Sequence, residues 1–122
     1  MNKKILVIDD EPDIVKVLAA RLREQNFTVD AAFNGKEGLE KVEYNKPDLI
    51  ILDILMPNLS GTEVASKLKA NKLTAGIPII FLSALQSKDD EKQAGNIVGG
   101  QVVFAKPYDI NVLISKINEM VQ

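Results

Sequence analysis

Pro47-Asp48-Leu49-Ile50-Ile51-Leu52-Asp53-Ile54-Leu55-Met56-Pro57 decides how the whole chain is read. Four apolar residues, Leu49 to Leu52, run unbroken and stop at one carboxylate, Asp53. Pro57 follows four residues later, so regular structure ends soon after the acid. A continuous run of leucine and β-branched residues between turn signals predicts a strand buried on both faces, as in a parallel sheet. Asp53 then stands at the C-terminal end of a central strand. That is the end where an open parallel α/β sheet keeps its ligand crevice.

Toward the N-terminus, Ile5 to Ile8 is a second such run, and it ends in Asp9, Asp10 and Glu11. Pro12 suits the first turn of a helix, and Asp13 beside it complements the dipole. Ile14, Val17, Leu18 and Leu22 fall at helical spacing, and the helix fades near Asn26. Phe27 to Ala32 makes a weaker strand. Asn34 caps the next helix, with Glu37 three residues on as a capping box. Leu39 and Val42 give that helix its apolar face, and Pro47 bars its continuation.

Toward the C-terminus, Ser60 and Glu63 repeat the capping-box pattern, and Val64 and Leu68 mark a buried face. Ile77 to Leu82 is the fourth strand, ending at Ser83. Ser87 and Asp90 are placed to cap a fourth helix, whose apolar face must come from Ala94, Ile97 and Val98. Gly95 weakens it, so it is expected to be the least stable element. Gly99-Gly100 reads as a turn. Val102 to Ala105 is the fifth strand, ending at Lys106-Pro107. Asp109 caps the last helix, with its stripe of Ile110, Leu113, Ile114, Ile117 and Val121. Five strands alternating with helices predict an α/β, flavodoxin-like (βα)5 fold, with a doubly wound five-stranded parallel sheet in the order 2-1-3-4-5. Residues 1–122 are expected to form a single domain, with no effector domain attached.

Composition removes several chemistries. The chain lacks cysteine and histidine, which excludes disulfides, thiolate metal sites and histidine acid–base work. A net charge of −2, with acids and bases interspersed, argues against broad nucleic-acid binding. The apolar runs fall far short of the roughly 18 residues of a membrane span. The start Met1 to Ile5 lacks the apolar core of a signal peptide. A cytoplasmic protein away from the membrane is expected.

Four of the five strands end in reactive side chains: Asp9 and Asp10, Asp53, Ser83, and Lys106. In the 2-1-3-4-5 order these strands are neighbours, so the side chains converge. Two like charges about 4 Å apart repel by roughly 4 kcal/mol at an effective dielectric near 20. Three carboxylates therefore call for cations. Lys106 is one, and an oxygen-only donor set selects Mg²⁺, with Mn²⁺ or Ca²⁺ as alternatives. A carboxylate beside such a metal, a hydroxyl and an ammonium makes a phosphoryl-transfer site. Asp10 alone also fits a helix cap. Glu11 reads as a dipole partner of the first turn rather than a ligand.

Four motifs carry a resemblance that covers essentially the whole chain. Ile5 to Pro12 with Asp9-Asp10, Pro47 to Pro57 with Asp53, Ile77 to Ala84 with Ser83, and Lys106-Pro107-Tyr108 together resemble the receiver domain of two-component response regulators. The resemblance implies that Asp53 is the phosphoacceptor, with Ser83 the switch hydroxyl and Lys106 the reader of the phosphoryl group. It implies a metal held by Asp10 directly, by Asp9 mostly through water, by Asp53 and by the Leu55 carbonyl. The Lys106-Pro107 bond is cis in that family. The implied function is a signalling switch rather than a metabolic enzyme. It takes a phosphoryl group from a sensor histidine kinase or a histidine phosphotransfer protein. It then alters the surface of the fourth helix, fifth strand and fifth helix toward a downstream protein, as a monomer or a phosphorylation-dependent dimer.

Three departures from the family pattern stand out. Val103 occupies the place of a usual Tyr or Phe, and Phe104, one residue on, is expected to face the other side. Gly99-Gly100-Gln101 replaces a Gly-Ala-acidic turn. Leu55 and Leu85 are apolar where the family controls water access, which predicts slow self-dephosphorylation; a phosphoryl lifetime of only seconds would reject it. A phosphatase of the haloacid-dehalogenase type is the enzymatic alternative, but Leu55 stands where that family places a second Asp. No G-x-G-x-x-G or P-loop supports a nucleotide-binding module. A receiver that serves only as a docking module is a further alternative.

Overall fold

The computed structural model describes residues 2–84, 96–98 and 101–122, without the side chains of 96–98. The elements in chain order are β1 (Lys4–Ile8), α1 (Pro12–Glu24), β2 (Thr28–Ala32), α2 (Gly35–Asn45), β3 (Leu49–Asp53), α3 (Gly61–Ala70), β4 (Ile79–Ser83), β5 (Asn96–Val98), β6 (Gln101–Ala105) and α4 (Ile110–Val121). The sheet runs β2-β1-β3-β4-β6-β5. Neighbours from β2 to β6 pair in parallel, as the unbroken apolar runs predict.

Alternation along the strands splits the core into two layers. Ile5, Val7, Leu49, Ile51, Ile80, Leu82 and Phe104 pack beneath α1 and α4. Leu6, Ile8, Ile50, Leu52, Ile79 and Phe81 pack beneath α2 and α3. Burying each such Leu or Ile stabilises the fold by about 1.5–3 kcal/mol, so the central strands are the best-anchored part of the molecule. Phe104 lies in the first layer and Val103 beside the second, so the predicted opposition of these neighbours holds. Among the described residues no helix is long and apolar enough to cross a membrane.

Three of the predicted caps form, at Asn34, Ser60 and Asp109. Asn34 accepts from Glu37 N at 2.8 Å, although Glu37 returns its bond to Phe33 N rather than to Asn34. Ser60 and Glu63 make the full reciprocal box. Asp109 accepts from Asn111 N and Val112 N.

Three expectations need correction. Ile97 and Val98, assigned to a fourth helix, lie in β5, which pairs antiparallel with β6 through Asn96–Val103, Ile97–Val102 and Val98–Gln101. A β-branched pair next to the β-branched run of β6 favours a strand over a Gly-weakened helix. The rest of that predicted helix, with its caps Ser87 and Asp90, and the Gly99-Gly100 turn lie outside the described residues, as does Leu85. Val17 is 65% exposed. The buried face of α1 is Val15, Leu18, Ala19 and Leu22, an i, i+3, i+4, i+7 stripe that leaves Val17 outside. Phe27 precedes β2 and instead closes α1, its N–H donating to Leu22 O at 3.2 Å.

Candidate functional site

Register gathers the strand-end residues. Ile8 pairs with Leu52, Asp53 with Leu82, and Ser83 with Ala105. Asp9, Asp53, Ser83 and Lys106 thus emerge from adjacent strands at one end of the sheet. Hydrogen bonds fix the ends against one another. Asp9 N donates to Ala32 O (3.1 Å), Ile54 N to Leu82 O (2.9 Å), and Lys106 N to Ser83 O (2.8 Å). The Lys106-Pro107 bond is cis, as expected.

The side chains form one charge cluster. Lys106 Nζ lies 2.9 Å from Asp9 Oδ2, 3.2 Å from Glu11 Oε1 and 3.4 Å from Asp53 Oδ2. Asp9 is fully buried and Asp53 nearly so. Carboxylate oxygens of Asp9, Asp10, Glu11 and Asp53 all lie within 4.8 Å of one another. Asp9 Oδ1 accepts from Glu11 N at 3.0 Å, and Asp53 Oδ1 accepts from Leu55 N at 3.3 Å. Ser83 is buried at the end of β4. Leu55 is half exposed at the rim.

Burial dominates the electrostatics. It pushes the Asp53 carboxyl up from 3.8 to about 7, and the Asp9 charge adds to this. Lys106 and the Leu55 N–H pull the other way without cancelling it. For Lys106, burial alone would disfavour the ammonium. Asp9 first, then Asp53 and Glu11, more than reverse this and hold it above the ordinary lysine value. Tyr108, packed against the neighbouring core, also has its phenol pushed up, by burial and then by Asp9. The site therefore carries more negative charge than its one lysine neutralises.

The donor set fits a hard divalent cation. It is oxygen only, clustered, and partly open to solvent through Asp10 and Glu11. Asp9 Oδ2 already has the Lys106 ammonium at 2.9 Å, so the case for a further cation rests on the other acids gathered there, Asp10, Glu11 and Asp53, which one lysine does not neutralise. The capping alternative for Asp10 gains no support, because Glu11 is the N-cap residue of α1 and no side chain caps that end.

Two residues of this region escaped the sequence reading. Glu11 pairs with Lys106, 95 positions away, rather than serving the first turn of α1. No local pattern signals so distant a contact. Gly61, the first residue of α3, donates to Ile54 O at 2.9 Å. A Cβ there would fall 2.1 Å from Asp53 O, so only glycine lets α3 start against the backbone of Asp53. Its place just after Ser60, at the head of a capping box, was the available hint.

Comparison with known proteins adds to this geometry. Residues 5–118 match the response regulator receiver domain family. The chain is 36% identical over 119 residues to the response regulator ArlR of Staphylococcus saprophyticus, covering 98% of this chain and 52% of that protein. It is 44% identical over 110 residues to the alkaline phosphatase synthesis transcriptional regulatory protein PhoP of Bacillus subtilis, covering 88% of this chain and 44% of that one. The chain thus spans about half the length of these curated relatives. Among solved structures, a Francisella response regulator receiver domain superposes with a TM-score of 0.82 at 33% identity, covering 98% of this chain and 97% of that one. The Vibrio cholerae chemotaxis protein CheY4 gives 0.82 at 27%, covering 98% and 99%.

Proposed function

The chain belongs to the response regulator receiver domain family, and from that premise we propose that Asp53 accepts a phosphoryl group from a partner's phosphohistidine and thereby switches the surface carrying β6 and α4. One observation carries this reading. A buried carboxylate at a strand end has an ammonium 3.4 Å away and three further acids within 4.8 Å.

In the proposed step an Asp53 oxygen attacks phosphorus. The phosphorus–nitrogen bond of the donor breaks, its electron pair returns to the imidazole nitrogen, and that nitrogen takes up a proton. Asp53 ends as an acyl phosphate. Asp10, Asp9, Asp53 and the Leu55 carbonyl would hold Mg²⁺, or Mn²⁺ in its place, which when bound neutralises phosphoryl oxygens. Lys106 stays protonated and is within reach of a phosphoryl oxygen on Asp53. Ser83 donates a hydroxyl hydrogen bond from the neighbouring strand. The apolar side chain of Leu55 at the rim limits water near the acyl phosphate, which makes hydrolysis slow.

A donor must bring its imidazole to this end of the sheet. An open groove of about 620 Å³ beside Lys106, lined by Ile14, Val17, Pro107 and Tyr108 among others, suits a docking histidine kinase or phosphotransfer protein. On the output side Val103, partly buried against the core layer beneath α2 and α3, puts a stiff β-branched side chain where the family pattern has a swinging aromatic. The change therefore travels through the Ser83–Lys106 backbone link between β4 and β6. It acts as a population shift, because the phosphoryl group favours only the state it contacts better.

Intact mass after treatment with a small-molecule phosphodonor and Mg²⁺ tests the reading. The wild type gains one phosphoryl group and Asp53→Asn gains none. Equal labelling of both removes Asp53 from its role.

A further inference from the structure

The sheet has two edges, and they are built differently. On one side β5 is only three residues long, too short to template another strand. On the other, β2 is a five-residue parallel edge strand that carries Val29, Ala31 and Ala32 and no proline. Such an edge invites strand addition.

Three of its four outward hydrogen-bonding groups are already taken. Thr28 N and Ala32 O bond to the β1 side of the chain, at Lys3 O and Asp9 N, so the alternating residues Val29 and Ala31 turn their backbone groups away from the sheet. Val29 O accepts from Arg23 Nη2 at 3.1 Å. Ala31 N donates to Asp30 Oδ1 at 2.8 Å, and Ala31 O accepts from Lys41 Nζ at 2.5 Å. Lys41 also pairs with Asp30 at 3.0 Å, which ties the two groups together. Among the described residues only Val29 N–H is left for an incoming strand. Arg23 comes from α1 and Lys41 from α2, so the edge is clasped from both faces of the sheet.

We propose that Arg23, Asp30 and Lys41 form a lock on the β2 edge that prevents a second copy of this chain from adding to the sheet through the same strand. The likeliest error of an apolar edge strand is pairing with its own copy, because the same sequence is always present at matching concentration. Side-chain groups that satisfy the outward N–H and C=O must be displaced before a ladder forms. All three also carry charge at the edge a new strand would have to join.

Sedimentation of the unphosphorylated chain tests the lock. The triple variant Arg23→Ala, Asp30→Ala, Lys41→Ala is expected to self-associate at least about tenfold more tightly than the wild type, with the dichroism of a folded protein. Adding Ala31→Pro to it removes an outward N–H and returns the variant to wild-type sedimentation. A folded triple variant that sediments like the wild type overturns the proposal, as does association that survives Ala31→Pro. Amide exchange on the wild type gives a reading that needs no variant. The Ala31 amide is expected to exchange about tenfold more slowly than the Val29 amide, and equal rates would also overturn the lock.

Discussion

Lys106 and Lys41 do similar chemistry in opposite surroundings. Each holds an aspartate at about 3 Å, but the Lys106 side chain is 11% exposed and that of its partner Asp9 is 0%, against 34% and 47% for Lys41 and Asp30. In water an ion pair is nearly an even exchange of hydration for contact. In a dry site the same exchange is costly, and removing one partner strands the other. The exposed pair therefore serves geometry by occupying the edge of β2. The buried cluster holds charge that the fold alone does not favour, which is the condition expected where a cation and a phosphoryl group are to be received.

The largest effect should come from breaking the buried side. Lys106→Met leaves Asp9 and Asp53 buried without their ammonium and is expected to destabilise the metal-free protein by about 3–5 kcal/mol at neutral pH in urea unfolding. Mg²⁺ should recover part of that loss. A loss under about 1 kcal/mol would place both lysines in the same class.

Asp53→Asn comes next and acts in the opposite direction. The folded-state pKa of Asp53 is raised from 3.8 to about 7, so the folded state holds this proton more tightly than the unfolded chain does. Its contribution to stability is full below about pH 3.8 and disappears as pH rises through about 7. Without metal, the wild type should lose up to about 4 kcal/mol relative to Asp53→Asn across that window. Urea midpoints measured against pH for both proteins check this. Parallel curves would mean that Asp53 titrates as an exposed acid.

Smaller effects test how dry the site is. Leu55→Asn should speed hydrolysis of phosphorylated Asp53 up to about tenfold, read from the decay of the phosphorylated intact mass, or roughly 1.4 kcal/mol of barrier. An unchanged lifetime would remove Leu55 as a shield. Smallest of all, Lys41→Met should change unfolding stability by less than about 1 kcal/mol while leaving phosphorylation intact.

The strand ends were legible because a buried parallel strand advertises itself: apolar runs such as Leu49–Leu52 have no other sensible home, and whatever polar residue ends them must emerge at the rim. Hence the strand order alone brings Asp9, Asp53, Ser83 and Lys106 to one end of the sheet, and the pairing of β1, β3, β4 and β6 agrees. Asn34, Ser60 and Asp109 were legible because capping is local. Val17 misled because the helical period admits two overlapping apolar stripes, and only packing selects the one through Val15 and Ala19. Ile97 and Val98 misled because a short β-branched pair carries no period of its own. The Glu11–Lys106 pair and the Gly61 approach to Asp53 are contacts between distant backbones or side chains, which a linear pattern does not encode.

The bond from Asp9 N to Ala32 O also sets a tolerance. It makes the alignment of an edge strand and the position of the most deeply buried acid among the described residues a single adjustment. A slip of β2 by one residue is about 3.3 Å, larger than the 2.9 Å that separates Lys106 from Asp9. An error at the rim of the sheet is thus as large as the contact on which the charge cluster depends, and the side chains that clasp the edge also guard the accuracy of the centre.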